Sequence, residues 1–233
     1  MAVILNIETS TQVCSTALSV DGVVRAIKES AIKNAHAESI TIFSQEVIEK
    51  SGFTFDQLDA IAVSKGPGSY TGLRIGVSTA KGFCYSLDKP LISIGTLKAL
   101  AFGMIRKLKE KSTNLLFCPM IDARRMEVYA SVFNSNLNVI QETNAIIIDQ
   151  KSFADILAKQ KVVFAGDGAE KCKSVFASNK NAIFLDDFKA SADNLAQLAE
   201  EKFQNNVFED VAYFEPFYLK NFVAGIPRVK GLY

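Results

Sequence analysis

Ser64-Lys65-Gly66-Pro67-Gly68-Ser69-Tyr70-Thr71-Gly72-Leu73-Arg74-Ile75-Gly76-Val77-Ser78-Thr79-Ala80-Lys81-Gly82-Phe83 decides how this chain reads. An apolar run, Ala60 to Val63, leads in. Gly66, Pro67 and Gly68 then force a tight turn, and a helical pattern begins near Ser69 or Thr71. Strand, glycine turn, helix is the implied order, and such a turn lets backbone N–H groups converge on an anion. The spacing, however, matches neither the P-loop nor the three-glycine dinucleotide pattern. Gly72, Gly76 and Ala80 recur every four residues, so on a helix they form a row with almost no side chain, beside an apolar row of Leu73, Val77, Cys84 and Leu87. Glycine inside a helix costs about 1 kcal/mol relative to alanine. Two on one face therefore mean that another backbone comes close, either from a neighbouring helix of the same chain or from a second subunit.

Outward from this stretch, Val3 to Ile7, Val13 to Val20 and Val23 to Ser30 read as a three-stranded meander, with Asp21-Gly22 as a two-residue hairpin turn. Ile40, Phe43 and Val47 carry helical spacing from about His36 to Lys50, and Gly52 supplies the stop. A strand at Leu91 to Ile94 and a helix from Thr96 to Lys109 follow the glycine helix, giving β-β-β-α-β-α-β-α. The order then starts again. Leu115 to Ile121, Met126 to Phe133 and Val139 to Ile148 are strands, Phe153 to Ala158 a short helix and Val162 to Ala165 a strand. Helix Ala169 to Ala177, strand Ile183 to Leu185 and helix Ala192 to Phe203 complete the copy. This order is that of the two-lobed actin-like, sugar kinase and heat-shock ATPase α/β fold, of ribonuclease H-like type. Residues 1–110 are expected to form the N-terminal lobe, 111–204 the C-terminal lobe, and 205–233 a tail on the body, mobile after Gly225.

With 233 residues, 48% of them hydrophobic, the chain can build real cores, and its net charge of +1 gives no general electrostatic reason to bind nucleic acid. The start, Met1-Ala2-Val3-Ile4-Leu5-Asn6, has no basic leader, and no run approaches membrane-spanning length, so a cytoplasmic protein without membrane contact is expected. Cys14, Cys84, Cys118 and Cys172 are scattered and read as four buried free thiols.

Glu8 and Asp122 close equivalent strands of the two lobes, in Glu8-Thr9-Ser10 and Asp122-Ala123-Arg124. In ATPases of this fold, acids at those ends hold hydrated magnesium near phosphates. With Gly166-Asp167-Gly168, a strand–glycine–helix junction that reads equally as an adenosine site or a tight turn, they outline a vestigial nucleotide cleft. His36 is the only histidine, at a helix start, so it reads as an end residue or interface hydrogen bonder and not as part of a multi-histidine metal site. Arg124 and Arg125 are candidates for binding an anion or a partner carboxylate.

Ile4-Leu5-Asn6-Ile7-Glu8-Thr9-Ser10, the His36-Ala37-Glu38 helix start, the stretch Gly66 to Gly76 with Ala80-Lys81-Gly82, and Ile121-Asp122-Ala123-Arg124-Arg125 together resemble the TsaB (YeaZ-type) family. These are accessory proteins of tRNA threonylcarbamoyladenosine (t6A37) formation. The resemblance covers nearly the whole chain. It implies a noncatalytic pseudoenzyme subunit that binds the catalytic paralogue TsaD and the ATPase TsaE, meets tRNA only through that complex, and forms a homodimer alone. The implied interface is His36, Ser39, Ile40, Phe43, Thr71, Gly72, Ile75, Gly76, Thr79, Ala80 and Phe83. No cofactor or metal is implied for the isolated chain, and ATP with magnesium only for the assembled complex. The catalytic paralogue carries a His-x-x-x-His metal pair where this chain has Thr96 and Leu100, neither of which replaces imidazole. The alternative is an independent ATP-dependent enzyme using Glu8 and Asp122, or a peptidase. No Ser/His/Asp or metal constellation in the sequence supports the peptidase.

Overall fold

The first sheet is built from β1 (Val3–Glu8), β2 (Cys14–Val20), β3 (Val23–Ser30), β4 (Ala60–Gly66) and β5 (Leu91–Gly95), in the order β3-β2-β1-β4-β5. β1 lies at the centre, antiparallel to β2 and parallel to β4. Every residue of β1 is buried, as suits a central strand covered on both faces. The structure, a computed structural model, describes residues 1–31, 36–108 and 114–220. The second sheet contains β6 (Leu115–Asp122), β7 (Glu127–Asn134), β8 (Val139–Ile147), β9 (Lys161–Ala165) and β10 (Ala182–Phe184), in the order β10-β9-β6-β7-β8. Both sheets are one plan: an antiparallel meander extended by two parallel strands. Asp21 and Gly22 both adopt positive φ, as the hairpin turn between β2 and β3 demands.

The helices are α1 (His36–Lys50), α2 (Tyr70–Leu87), α3 (Thr96–Leu108), α4 (Ala154–Leu157), α5 (Lys173–Phe176) and α6 (Ala196–Gln204). In the second lobe they are shorter than their spacing implied. The expected helix 169–177 is a 3-10 turn at Glu170–Cys172 followed by α5, and the expected helix 192–203 begins as a 3-10 turn at Ala192–Asn194.

α3 stands between the sheets, with Leu97, Leu100 and Met104 packed against Phe117, Ile121 and Phe133. α6 falls within the 111–204 segment, yet its apolar face covers the first sheet: Leu195, Leu198 and Ala199 pack on Ile4, Ala62, Ile92 and Ile94. Packing therefore sets this helix on the first lobe's sheet, although in sequence it follows the strands of the second. The tail runs on as a strap. Glu209 donates its N–H to the Leu91 carbonyl at 2.8 Å, Val211 and Phe214 pack on the first core, and Lys220 reaches Glu127 of β7. The mobility expected after Gly225 concerns residues outside those described.

Candidate functional site

β4 ends at Gly66, whose φ of +113° suits glycine and whose missing side chain leaves room for the Phe217 carbonyl of the strap. Phe217 donates its N–H to the Lys65 carbonyl at 2.7 Å. Ser69 caps α2, its Oγ accepting the Gly72 N–H at 3.3 Å, while its own N–H donates to the Ser10 carbonyl at 2.6 Å. That donor is committed inside the chain, so the turn does not aim it at an anion.

The glycine row has an occupant from the same chain. Thr9, in the turn after β1, donates its hydroxyl to the Gly72 carbonyl at 2.8 Å, and a Cβ on either Gly72 or Gly76 would collide with Thr9. Gly72, Gly76, Ala80 and, on α1, Ile40 are buried in the first core. As interface residues these four are corrected: they pack inward, Gly72 and Gly76 against Thr9 of the β1–β2 turn and Ala80 and Ile40 in the apolar first core.

The strand-end acids differ in environment. Glu8 is 1% exposed. Its Oε1 accepts the Ser10 N–H at 2.6 Å and the Ser64 hydroxyl at 2.9 Å. Burial pushes its carboxyl above the usual range, the Ser10 and Ser64 hydrogen bonds pull it back down, and the Asp167 carboxylate across the lobes adds to the rise. Asp122 is half exposed and paired with Lys171; it also accepts the Arg124 N–H at 3.1 Å. Asp167 accepts the Asp122 N–H at 3.0 Å, and burial raises its carboxyl too.

A hydrated magnesium ion bridging the strand ends does not fit these residues. Thr9 and Ser10 seal Glu8 from solvent, both themselves fully buried, and Lys171 neutralises Asp122. Gly166 and Gly168 lie against the β6 backbone at Met120 and Ile121, so this junction packs as a tight turn. Between the lobes remains a cavity of about 380 Å³. Among the described residues its charged lining is Asp167, Glu170, Asp186 and Asp187 against Lys173 and Lys189, an excess of the sign that repels polyphosphate.

α1 and α2 pack side by side and present one outer face to solvent. It carries Ile42, 55% exposed, and Tyr85, 88% exposed, with Thr71, Arg74, Ser78 and Gly82 also open and Ser39, Phe43, Ile75 and Thr79 half-buried. Phe83 turns inward onto Phe55, ring centroids 5.5 Å apart. His36 donates through Nε2 to the Thr11 carbonyl at 3.1 Å, tying the start of α1 to the β1–β2 turn. Ile42, Ser78, Gly82 and Tyr85 escaped the sequence reading. An isoleucine on the polar side of an amphipathic helix was the available signal. Arg124 and Arg125 both adopt positive φ in the turn after β6. All four cysteines are free and buried, and burial lifts Cys14 to about 11 and Cys84 to about 12. Among the described residues no helix is long and apolar enough to cross a membrane.

A family model described as "TsaD: tRNA N6-adenosine threonylcarbamoyltransferase" matches residues 22–232. The Escherichia coli tRNA threonylcarbamoyladenosine biosynthesis protein TsaB is 31% identical over 230 residues, covering 95% of this chain and 96% of the relative. The chain belongs to the TsaB family. Among solved structures, a Pseudomonas aeruginosa protein described as similar to the peptidase YeaZ superposes with a TM-score of 0.81 at 22% identity, over 94% of this chain and all of the other. The activator of the 2-hydroxyisocaproyl-CoA dehydratase from Clostridium difficile, solved with ADPNP, superposes at 0.50 with 9% identity, over 88% of this chain and 96% of the other. These likenesses establish the two-lobed fold of actin-like ATPases. The buried Glu8 is the point at which the TsaB-family chain's own cleft departs from what a bound magnesium nucleotide needs.

Proposed function

We propose that this chain is a noncatalytic subunit in tRNA N6-threonylcarbamoyladenosine formation that binds and activates the catalytic paralogue TsaD, together with the ATPase TsaE. The observation that carries this reading is the outer face of α1 and α2, where Ile42 and Tyr85 stand open to solvent among small and polar side chains. Exposed apolar side chains set among small residues on a helix pair suit docking against helices of a related subunit. The noncatalytic assignment is supported by Thr96 and Leu100, which are buried apolar-core or backbone-bonded residues where the catalytic paralogues are expected to carry imidazole ligands. The closed Glu8 and the acidic cleft support placing ATP and magnesium in the assembled complex and not in this chain. Without the paralogue, the same face pairs two copies of the chain.

The test is Ser78→Arg combined with Tyr85→Asp. Both positions are exposed, so the folded chain should keep its thermal midpoint while co-purification with the paralogue and t6A synthesis by the mixture are lost. Normal complex formation by the variant would overturn the docking assignment. Full t6A synthesis by the paralogue and ATPase without this chain would overturn the functional one.

A further inference from the structure

The net charge of +1 hides a local concentration of cations on the rim of the first lobe, at the C-terminal ends of β4 and β5. Three lysines converge on residues 93–95. Lys65 precedes Gly66, which pairs with Gly95. The Lys98 Cβ lies 3.9 Å from where a Cβ would stand on Gly95. Lys202 reaches over from α6 to donate to the Ser93 carbonyl at 2.7 Å. Burial and then the Lys65 charge hold the Lys202 ammonium below its usual range, with Lys98 adding to the fall and Glu209 opposing it. The first turn of α3 faces the same corner with the partial positive charge of a helix N-terminus.

Aromatic side chains continue the rim. Phe217 is 44% exposed and bonded through its N–H to the Lys65 carbonyl. Next to it, Tyr218 packs on Tyr70 at 4.7 Å between centroids with the rings tilted by 34°, and the Arg74 guanidinium sits 5.3 Å over the Tyr70 ring. Among the described residues four cations thus stand along this rim, Lys202 already bonded to the Ser93 carbonyl, with two acids, Glu209 and Glu215, among them.

We propose that this rim binds the phosphodiester backbone of the RNA substrate within the assembled complex. The proposal rests on the functional reading above and adds a direct RNA contact to a chain whose overall charge argues against one. A strand of RNA suits the rim better than a single free phosphate does, because the cations are spread along a surface and the exposed Phe217 ring lies beside Lys65 to stack on a base.

The test uses the chain assembled with its catalytic paralogue, comparing wild type with Lys65→Gln/Lys98→Gln, both side chains lying outside the helix-pair face. Binding of unmodified tRNA is followed by fluorescence anisotropy across a salt series. Loss of two phosphate contacts should lower the magnitude of the log K against log salt slope by about 1.5 and weaken binding by about tenfold near 0.1 M salt. Size exclusion should show the complex intact, and titration with inorganic phosphate or ATP should not separate the two proteins. An unchanged slope in an intact complex overturns the RNA contact while leaving the scaffold role standing; a difference confined to phosphate or ATP assigns the rim to a free anion and overturns it as well. Should wild type fail to assemble, the functional reading falls. The isolated chain at low salt then decides the rim: salt-dependent tRNA binding weakened in the variant supports it, and no binding overturns it.

Discussion

Thr9 is the side chain around which the glycine helix is built. Its hydroxyl bonds the Gly72 carbonyl across 63 positions of sequence; the Thr9 carbonyl takes the space a side chain at 72 would need, and the Thr9 side chain the space at 76. The four-residue repeat of small residues announced that a backbone comes close. It did not say which one, because the contact is long-range and the repeat describes only one partner. Gly76→Ala is therefore expected to destabilise the fold by about 1–3 kcal/mol, as overpacking does, and not to act selectively on assembly. Urea denaturation of the purified chain measures it, and a wild-type midpoint would count against the packing described. Glu8 makes the second prediction at this scale. Its carboxyl titrates above the ordinary value of 4.5 in the folded state, with burial the largest cause. Between that value and the raised one the folded state holds a proton that the unfolded state has released, so stability falls as pH rises through this window. Below 4.5 the carboxyl is protonated in both states and contributes no slope. Glu8→Gln should flatten this part of the pH–stability curve. A curve that keeps its slope in the variant would assign the effect elsewhere, with Asp167 the next candidate.

At the scale of elements, α2 has two unlike faces that one sequence period encodes only in part. Its inner face was legible from Leu73, Val77 and Cys84, which are buried as their spacing implied. Its outer face carries Gly82, where an added Cβ meets nothing within 4 Å, so glycine there serves no packing need in the isolated chain. Gly82→Ala should stabilise the chain by about 0.5–1 kcal/mol through helix propensity and reduced freedom of the unfolded state. A shift of the denaturation midpoint to higher urea checks this, and destabilisation would show that the face is not free. The same substitution tests docking: impaired co-purification with the paralogue from a stabilised chain would mean that the partner's backbone comes close at Gly82. Segments with only four or five helical positions were read less well. The stretch 170–176 contains one apolar turn, too short for a period to separate a 3-10 turn from an α-helix.

Over the whole molecule, the repeated order of elements exposed the two-lobed architecture, because each lobe repeats the same alternation of strand and helix periods. What joins the lobes was not legible. An amphipathic helix declares that it has an apolar face but not which sheet will cover it, and α6 returned to the first sheet through Leu195, Leu198 and Ala199. The strap at 205–220 lacks any period, since it is held by isolated backbone bonds at Leu91 and Lys65 and by single side chains, Val211 and Phe214, set into the first core. Lys81 adds two more ties, donating to the Ala212 and Phe214 carbonyls at 3.1 Å each. With α3 standing between the sheets as well, the lobes should unfold in one transition, by calorimetry as by circular dichroism. Ending the chain after Asn206 exposes the surface that Val211 and Phe214 cover, for which partial burial of two large side chains predicts a loss of about 3 kcal/mol. Lys220→Ala removes only the half-exposed ion pair with Glu127, for which less than about 1 kcal/mol is expected. Comparing the two by urea denaturation separates the causes. A large loss in the truncated chain with little in Lys220→Ala would make the strap part of the first lobe's core, whereas equal losses would make the ion pair across to β7 the bond that matters.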